Sequence, residues 1–593
     1  MKPVIDTLED KVSAAMDTAT GLQGGVAIVR PASDYKFGDY QVNGIMGLAK
    51  KLKTNPHKLA EEVVENLDVS DICEQPEIAG PGFINLKLKT EFLAKSLLGI
   101  NADQQKRLGI DKVKDPKTIV VDFSGPNIAK QMHVGHLRST IIGDCICRTL
   151  EFLGYKVIRQ NHIGDWGTQF GMLCAYIERM GTQAPEGKVT GVIPAHLSEF
   201  EAFYKKAKNL YDTDKNFRSL SREAIAGLHS GNHTWMGRWK SLVAQSAKHY
   251  QEIYSRLAVT LEKKDIRGES CYRDDLTDVV SNLQKKGFAK VSDGAVCVFP
   301  KGFKNKEGEP LPLIIQKSDG AFLYATTDLA AIRYRVDKLK ADKIIYVTDA
   351  RQKLHFEMIF KVARIAGWVK ENTELIHVTF GSVLGENGQP LKTREGENVK
   401  LKELLDEAEE RARAIVQEKN PELDKNQKKE IAKAVGIGAV KYADYSNNRT
   451  SDYVFSFDKM LAMDGNTAPY MQYAYARIKS IERKAQSRDI GIEAELASLK
   501  RLDLAEPTEL DLAKQLIRYS EVIENAVDDY RPNYLTCYLY ELAQKFSAFY
   551  TNCPVLKADP EKRPTRLLLC DLTAETIKHG LSELLGIEVV EQM

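Results

Sequence analysis

Thr118 to Ser139 reads T-I-V-V-D-F-S-G-P-N-I-A-K-Q-M-H-V-G-H-L-R-S. Thr118 to Phe123 is a β-branched apolar run, and S-G-P-N is a turn signal. From Val134 apolar residues recur at helical spacing, at Leu137, Ile141, Cys145 and then Leu150 and Leu153, before Lys156 to Ile158 resumes an extended pattern. Strand, helix and strand in that order build a parallel, doubly wound sheet, so an α/β fold is expected. Two of the chain's 11 histidines flank Gly135 where strand gives way to helix. Ligands of open α/β sheets bind beyond the carboxyl ends of the strands, and a helix start there offers free N–H groups and a positive dipole end to a phosphate. Gly135 puts no side chain between backbone and nucleotide. His133 and His136 can donate to phosphate oxygens as charge grows on them. Such a site suits attack at an α-phosphate with pyrophosphate leaving. The plainer alternative is a pair of helix-start histidines that satisfy local carbonyls. Zinc is disfavoured and no metal site is expected, because the i, i+4 histidine pair with its Glu is absent and no third ligand is evident.

Outward from this unit the chain is long: 593 residues exceed what one core supports, and about three or four domains are expected. Residues 1–115 mix helix and strand patterns, an α+β domain whose basic tract Ala49 to Lys58 opens a helical segment. Residues 116–400 hold the sheet, interrupted by a charge-rich helical insertion over about 180–265. Strand-like runs at Ala295 to Phe299, Leu313 to Gln316, Lys343 to Val347 and Ile376 to Val383 are expected to complete it. Residues 401–593 are almost wholly helical, an all-α bundle. A composition of 43% hydrophobic and 28% charged residues is that of a soluble globular protein. The first residues carry no apolar h-region, and no apolar run is long enough to cross a bilayer. Nine cysteines without C-x-x-C spacing argue against a zinc knuckle or redox pair and for a reduced, cytoplasmic setting. A net charge of +2 leaves any nucleic-acid partner to local basic patches.

S-G-P-N-I-A-K-Q-M-H-V-G-H-L-R-S-T-I-I-G-D resembles the "HIGH" signature region of class I aminoacyl-tRNA synthetases, in the form found in the arginyl-tRNA synthetase family. The likeness continues through Asn161 to Leu173 (N-H-I-G-D-W-G-T-Q-F-G-M-L), Gly320 to Ala331, Tyr346 to Phe356 (Y-V-T-D-A-R-Q-K-L-H-F), Pro469 to Arg477 (P-Y-M-Q-Y-A-Y-A-R) and the C-terminal L-L-G-I-E-V-V-E-Q-M. The resemblance implies a Rossmann-type catalytic domain, an N-terminal additional domain that contacts tRNA, and a C-terminal anticodon-binding domain. It implies a two-step reaction: arginine and ATP give arginyl-adenylate and pyrophosphate, and the arginyl group passes to the terminal ribose of tRNA(Arg). ATP would be a substrate with Mg2+ bound to it, and a monomer is expected.

A guanidinium is planar and always charged, so its pocket calls for carboxylates and neutral acceptors. By resemblance, Asp122 and Asn127 would hold the amino and carboxylate ends of arginine, with His133 beside them. Tyr324, Asp328 and Gln352 would line the guanidinium site. Tyr324 and Asp328, four residues apart, share a face if that segment is helical. The K-M-S-K-S loop of most class I synthetases is absent, and G-S-V-L-G-E-N-G-Q-P-L-K-T-R-E-G (Gly381 to Gly396) stands in its place. By resemblance, Lys130 would supply the missing cation for the leaving group, helped by Lys392 and Arg394. The alternative for the latter pair is a solvated turn. For tRNA the resemblance points to Phe37, Tyr40 and Gln41 in the first domain, and to Tyr470, Tyr473, Arg477, Tyr550 and Met593 in the last. Most tyrosines of the C-terminal region, at helical spacing, suit a bundle core. Two other readings stay open: a synthetase or nucleotidyl-transfer enzyme for another substrate, and an RNA-binding paralogue without catalysis.

Overall fold

The computed structural model describes residues 2–128, 130–182, 197–392 and 398–593. Strands Thr118–Asp122, Lys156–Gln160, Lys343–Asp349 and Glu374–Phe380 form one parallel sheet. Its spatial order is 374–380, 343–349, 118–122, 156–160. Ile119, Val120, Val121, Ile344, Ile345 and Val347 are buried, as a sheet covered on both faces requires. The helix Val134–Phe152 carries the chain from the first strand to its neighbour on one side, whereas strand 343–349 joins from the other. The order therefore reverses between strands 118–122 and 343–349, which opens a crevice at their carboxyl ends. The helix lies very close to the strand it follows: a Cβ on Gly143 would fall 2.3 Å from the Phe123 ring.

Two expected members of this sheet lie elsewhere. Ala295–Val298 and Leu313–Gln316 join Ala289–Ser292 in a separate antiparallel sheet. The reason is local: Asp293 and Gly294 both take positive φ, 49° and 78°, and close a two-residue hairpin that no parallel crossover could use. In the insertion, helices Leu197–Thr213, Lys215–His229 and His233–Arg256 follow one another, the last two capped by the side chains of Asp214 and Asn232.

The chain divides into two compact units, one of 113–461 with 584–587, the other of 1–112 with 462–583 and 588–593. Helices Leu401–Lys419 and Lys425–Tyr445 thus belong with the parallel sheet, and the boundary drawn at 401 on helical content falls some sixty residues later, after Leu461. Helical content does not say which core a helix shares. Leu401, Leu404, Leu405, Ala408 and Ala412 are buried, and a Cβ on Gly436 would meet the Ala408 carbonyl oxygen at 2.7 Å. In the other unit a four-stranded antiparallel sheet, ordered 29–31, 40–42, 83–86, 77–79, is accompanied by N-terminal helices and by the C-terminal bundle, whose helices include Ala468–Gln486 and Pro532–Asn552.

Candidate active site

His133 is the N-cap of the helix Val134–Phe152 and sits at the crevice. Its Nδ1 accepts the Gly135 N–H at 3.0 Å, while His136 Nδ1 accepts the His133 N–H at 3.2 Å. The two imidazoles form a reciprocal cap of the kind usually made by Ser and Glu. A neutral ring whose Nδ1 accepts carries its proton on Nε2, so both histidines present Nε2–H donors. Burial, then the charges of Lys130 and Arg351, push the His133 pKa down; burial and the neighbouring His133 push His136 down to about 3. Both rings are therefore neutral donors at ordinary pH. Gly135 is needed for a nearer reason than nucleotide access: a Cβ there would lie 2.7 Å from His133 Cε1.

Beside this turn lies an acidic pocket. Tyr324 and Asp328 occupy the first turns of the helix Tyr324–Asp337, as their spacing requires, with Tyr324 67% exposed at its start. His355 Nε2 lies 2.7 Å from Asp328 Oδ2, within hydrogen-bonding distance, whereas His162 Nε2 stands 3.9 Å from Oδ1, beyond it. Glu269 is the second acid of the pocket. Burial, then Asp328 and Asp165, raise its pKa to about 8 although its carboxylate accepts the Trp166 N–H. A carboxyl whose pKa is raised by burial and by neighbouring carboxylates marks a space that suits a cation. Asp165 accepts from the Ser270 N–H and hydroxyl at 2.8 and 2.7 Å, which holds the turn bearing Glu269 in place. Asp122, at the end of its strand, is buried and its Oδ2 accepts from Arg335 Nη2 at 2.7 Å. Arg335, on the helix of Asp328, also donates to Gln160 at 2.6 Å. A Cβ on Gly164 would fall 2.2 Å from Asn127 Oδ1, so the loop after the second strand lies directly against Asn127. Gln352 is exposed at the N-cap of the helix Lys353–Ile365. Glu269, His162, His355 and Arg335 were not singled out from sequence; His162 and His355 stand inside the segments Asn161 to Leu173 and Tyr346 to Phe356, while Glu269 stands in no motif.

The cations are more dispersed. Lys130 is exposed, with Nζ 5.6 Å from the Tyr204 ring, yet its charge reaches both signature histidines. Arg351, exposed and paired with Asp349, bears on His133 as well. Lys392 is exposed and bridges Asn398. Arg394 lies outside the described residues. The segment that follows returns to the signature turn: the Val134 N–H donates to Val399 O at 3.0 Å and the Leu401 N–H to Met132 O at 2.9 Å. Residues 399–401 are thus paired with the histidine turn.

In the other unit the sites expected for tRNA divide. Tyr40 is corrected: it is fully buried and its hydroxyl donates to Glu521 Oε1 at 2.6 Å, so it belongs to the core. Phe37 is half-buried with Lys36 Nζ 4.9 Å from its ring, and Gln41 donates to Asn85. Tyr473 and Arg477 lie one turn apart, the guanidinium 4.9 Å from the Tyr473 ring and 5.8 Å from that of Tyr550. Tyr470 meets Tyr540 edge-on at 5.7 Å, and Tyr550 stacks on Phe546. Met593, the last residue, is half-buried. Tyr475, Tyr530 and Tyr538 are core, whereas Tyr470, Tyr473, Tyr534, Tyr540 and Tyr550 reach the surface.

Residues 100–457 match the family described as tRNA synthetases class I (R), catalytic domain; residues 6–88 match the arginyl tRNA synthetase N terminal domain, and residues 471–593 the DALR anticodon binding domain. The arginine–tRNA ligase of Hahella chejuensis is 48% identical over 586 residues, 99% of both chains. The crystal structure of arginyl-tRNA synthetase from Plasmodium falciparum superposes with a TM-score of 0.85 at 32% identity, covering 100% of both chains. That of Thermus thermophilus gives 0.81 at 25% identity with the same coverage.

Proposed function

The chain belongs to the class I arginyl-tRNA synthetase family, and we propose how its residues divide the work of that reaction. It joins arginine to ATP as arginyl-adenylate with release of pyrophosphate, then passes the arginyl group to the 3′ end of tRNA(Arg). The assignment of the pocket rests on one observation: Asp328, with His355 Nε2 2.7 Å from its Oδ2, lies close enough to the half-exposed space around Glu269 for its charge to raise the Glu269 pKa. The guanidinium enters between Asp328 and Glu269, with Tyr324 and Gln352 at the rim. Lysine, a point charge without the planar fork, leaves carboxylate oxygens unpaired there and is rejected. Asp122 and Asn127 take the amino and carboxylate ends.

The arginine carboxylate oxygen forms a bond to the α-phosphorus as the bond to the β-phosphate oxygen breaks. His133 and His136, donating through Nε2–H, stabilise the charge on the transferring phosphate without giving up a proton. Lys130, with Arg351, Lys392 and Arg394, neutralises the departing pyrophosphate. Mg2+ enters as the counter-ion of ATP, held largely by phosphate oxygens and water. A ribose hydroxyl of the terminal nucleotide then attacks the arginyl carbonyl, and AMP leaves. Phe37, Gln41, Tyr470, Tyr473, Arg477, Tyr550 and Met593 are read as the tRNA side of the molecule; Tyr473, Arg477 and Tyr550 combine a cation with flat rings on which bases stack. No helix among the described residues is long and apolar enough to cross a membrane. We read the enzyme as a cytoplasmic monomer, since every assigned role is met within one chain and translation is its setting. The test is His136→Ala in arginine-dependent exchange of pyrophosphate into ATP. A loss of about 10² or more is expected for one transition-state donor; exchange near wild type contradicts the role.

A further inference from the structure

The helical insertion has so far no part in the reaction, yet its last helix, His233–Arg256, reaches into the site at three points. Trp239 Nε1 donates to Asp165 O at 2.7 Å, and the Tyr250 hydroxyl to Asn127 O at 2.7 Å. The Tyr254 hydroxyl lies 2.8 Å from Ser124 Oγ and 3.0 Å from Asn161 Nδ2. Residues 239, 250 and 254 are spaced by three turns and then one, so a single face carries all three. Both tyrosines are buried.

The hydrogen bonds around Tyr254 have only one consistent direction. Thr140 Oγ1 donates to His136 O at 2.7 Å, so it must accept from Ser124 Oγ at 2.9 Å. Ser124, having spent its proton, accepts from Tyr254. Tyr254 in turn accepts from the Asn161 amide, which has no other role to offer through Nδ2. A chain of four donors therefore runs from the loop after the second strand, through the insertion, to the carbonyl of the second signature histidine. Its centre is strained: Ser124 is a non-glycine residue at φ +70°. Such a conformation persists only where neighbours over-determine it. Ser139 and Thr140 hold Ser124 from the signature helix, and Tyr254 holds it from the insertion.

We propose that the insertion helix is a positioning element of the arginine and ATP site, with Tyr250 and Tyr254 fixing the loop 123–128 that carries Asn127 and the loop 161–165 that carries His162. This rests on the reading of the site given above. Four amides report directly on the two loops: Ser124 N–H to Ser139, Gly125 N–H to Asn161, Ile128 N–H to Gly164 O and Gly164 N–H to Pro126 O. In the full-length chain, Tyr250→Phe, Tyr254→Phe and the pair together remove only hydroxyls. Hydrogen exchange at those four amides should quicken about tenfold in the double variant, while amides within helix 233–256 keep wild-type rates. The KM for arginine in pyrophosphate exchange should rise about tenfold, with kcat changed much less. Wild-type exchange at the four amides with unchanged KM overturns the proposal. So does acceleration spread along helix 233–256 with a fall in melting temperature, which marks a packing role alone. Pyrophosphate exchange is measured with tRNA present, since members of the family this sequence resembles typically need it for the first step. A wild-type protein that supports no arginine-dependent exchange under those conditions would count against the reaction assigned here, while the amide pattern still tests the positioning by itself.

Discussion

Asp328 shows what a residue needs beyond its identity. A carboxylate selects a guanidinium only if its oxygens are held where the fork expects them, and His355, 2.7 Å from Oδ2, fixes one of the two. Asp328→Asn keeps the shape and removes the charge. It should raise the KM for arginine about 10- to 100-fold and leave that for ATP within about twofold, as measured by pyrophosphate exchange. Equal changes in both would indicate a structural role. Glu269 makes a pH-dependent prediction. Burial, Asp328 and Asp165 set its pKa at about 8 in the ligand-free protein, so below pH 8 it holds a proton that a bound guanidinium must displace. The KM for arginine should then fall about tenfold per unit as pH rises towards 8 and level off above it, and Glu269→Gln should flatten the profile. The sign for stability is opposite: a carboxyl with a raised folded pKa favours the fold at low pH, and that contribution is lost as pH climbs from about 4.5 to about 8. His133 and His136 drew notice in the sequence because residue type and local spacing coincide at a strand-to-helix turn, whereas Asp328 was named only through the family resemblance. Glu269, His162, His355 and Arg335 were not singled out, because each acts on a partner brought near only by the sheet: Glu269 stands 59 residues from Asp328, and Arg335 stands 213 from Asp122.

At the level of elements, the strand–turn–helix of 118–152 could be read because its signals are contiguous, whereas the helix Tyr324–Asp337 entered only as a condition on the four-residue spacing of Tyr324 and Asp328. The hairpin at Asp293 and Gly294 was equally written in the chain, as an Asp-Gly pair, but strand-like composition alone assigned the run after it, 295–299, and the run 313–316 to the wrong sheet, and left 289–292 unread. Tyr40 failed differently. The resemblance placed it on the tRNA side, whereas its strand alternates inward at 40 and 42, and the buried hydroxyl found Glu521 nearly five hundred residues away. Tyr40→Phe leaves a buried carboxyl group short of a donor and should cost about 1–3 kcal/mol in denaturant unfolding, with charging constants unchanged. A rise in the KM for tRNA without loss of stability would return Tyr40 to the tRNA side.

Across the whole chain, the likeness to one family is continuous while the physical units are not. The first 112 residues and the helical tail share one unit, with Leu584–Ile587 assigned to the other. No boundary of composition at residue 401 could reveal that, since helices 401–419 and 425–445 look like the tail but are built on the sheet's unit. What the two units hold differs in chemistry: the histidine turn and the carboxyls Asp328 and Glu269 in the one, and an Arg477 flanked by Tyr473 and Tyr550 in the other. The most direct measurement is charging of unfractionated tRNA with each labelled amino acid in turn, in the presence of ATP and Mg2+. Arginine alone becoming acid-precipitable is the expected result. Charging with another amino acid, or with none by protein shown to be folded, would contradict the pocket assigned to Asp328 and Glu269 and the reaction built upon it.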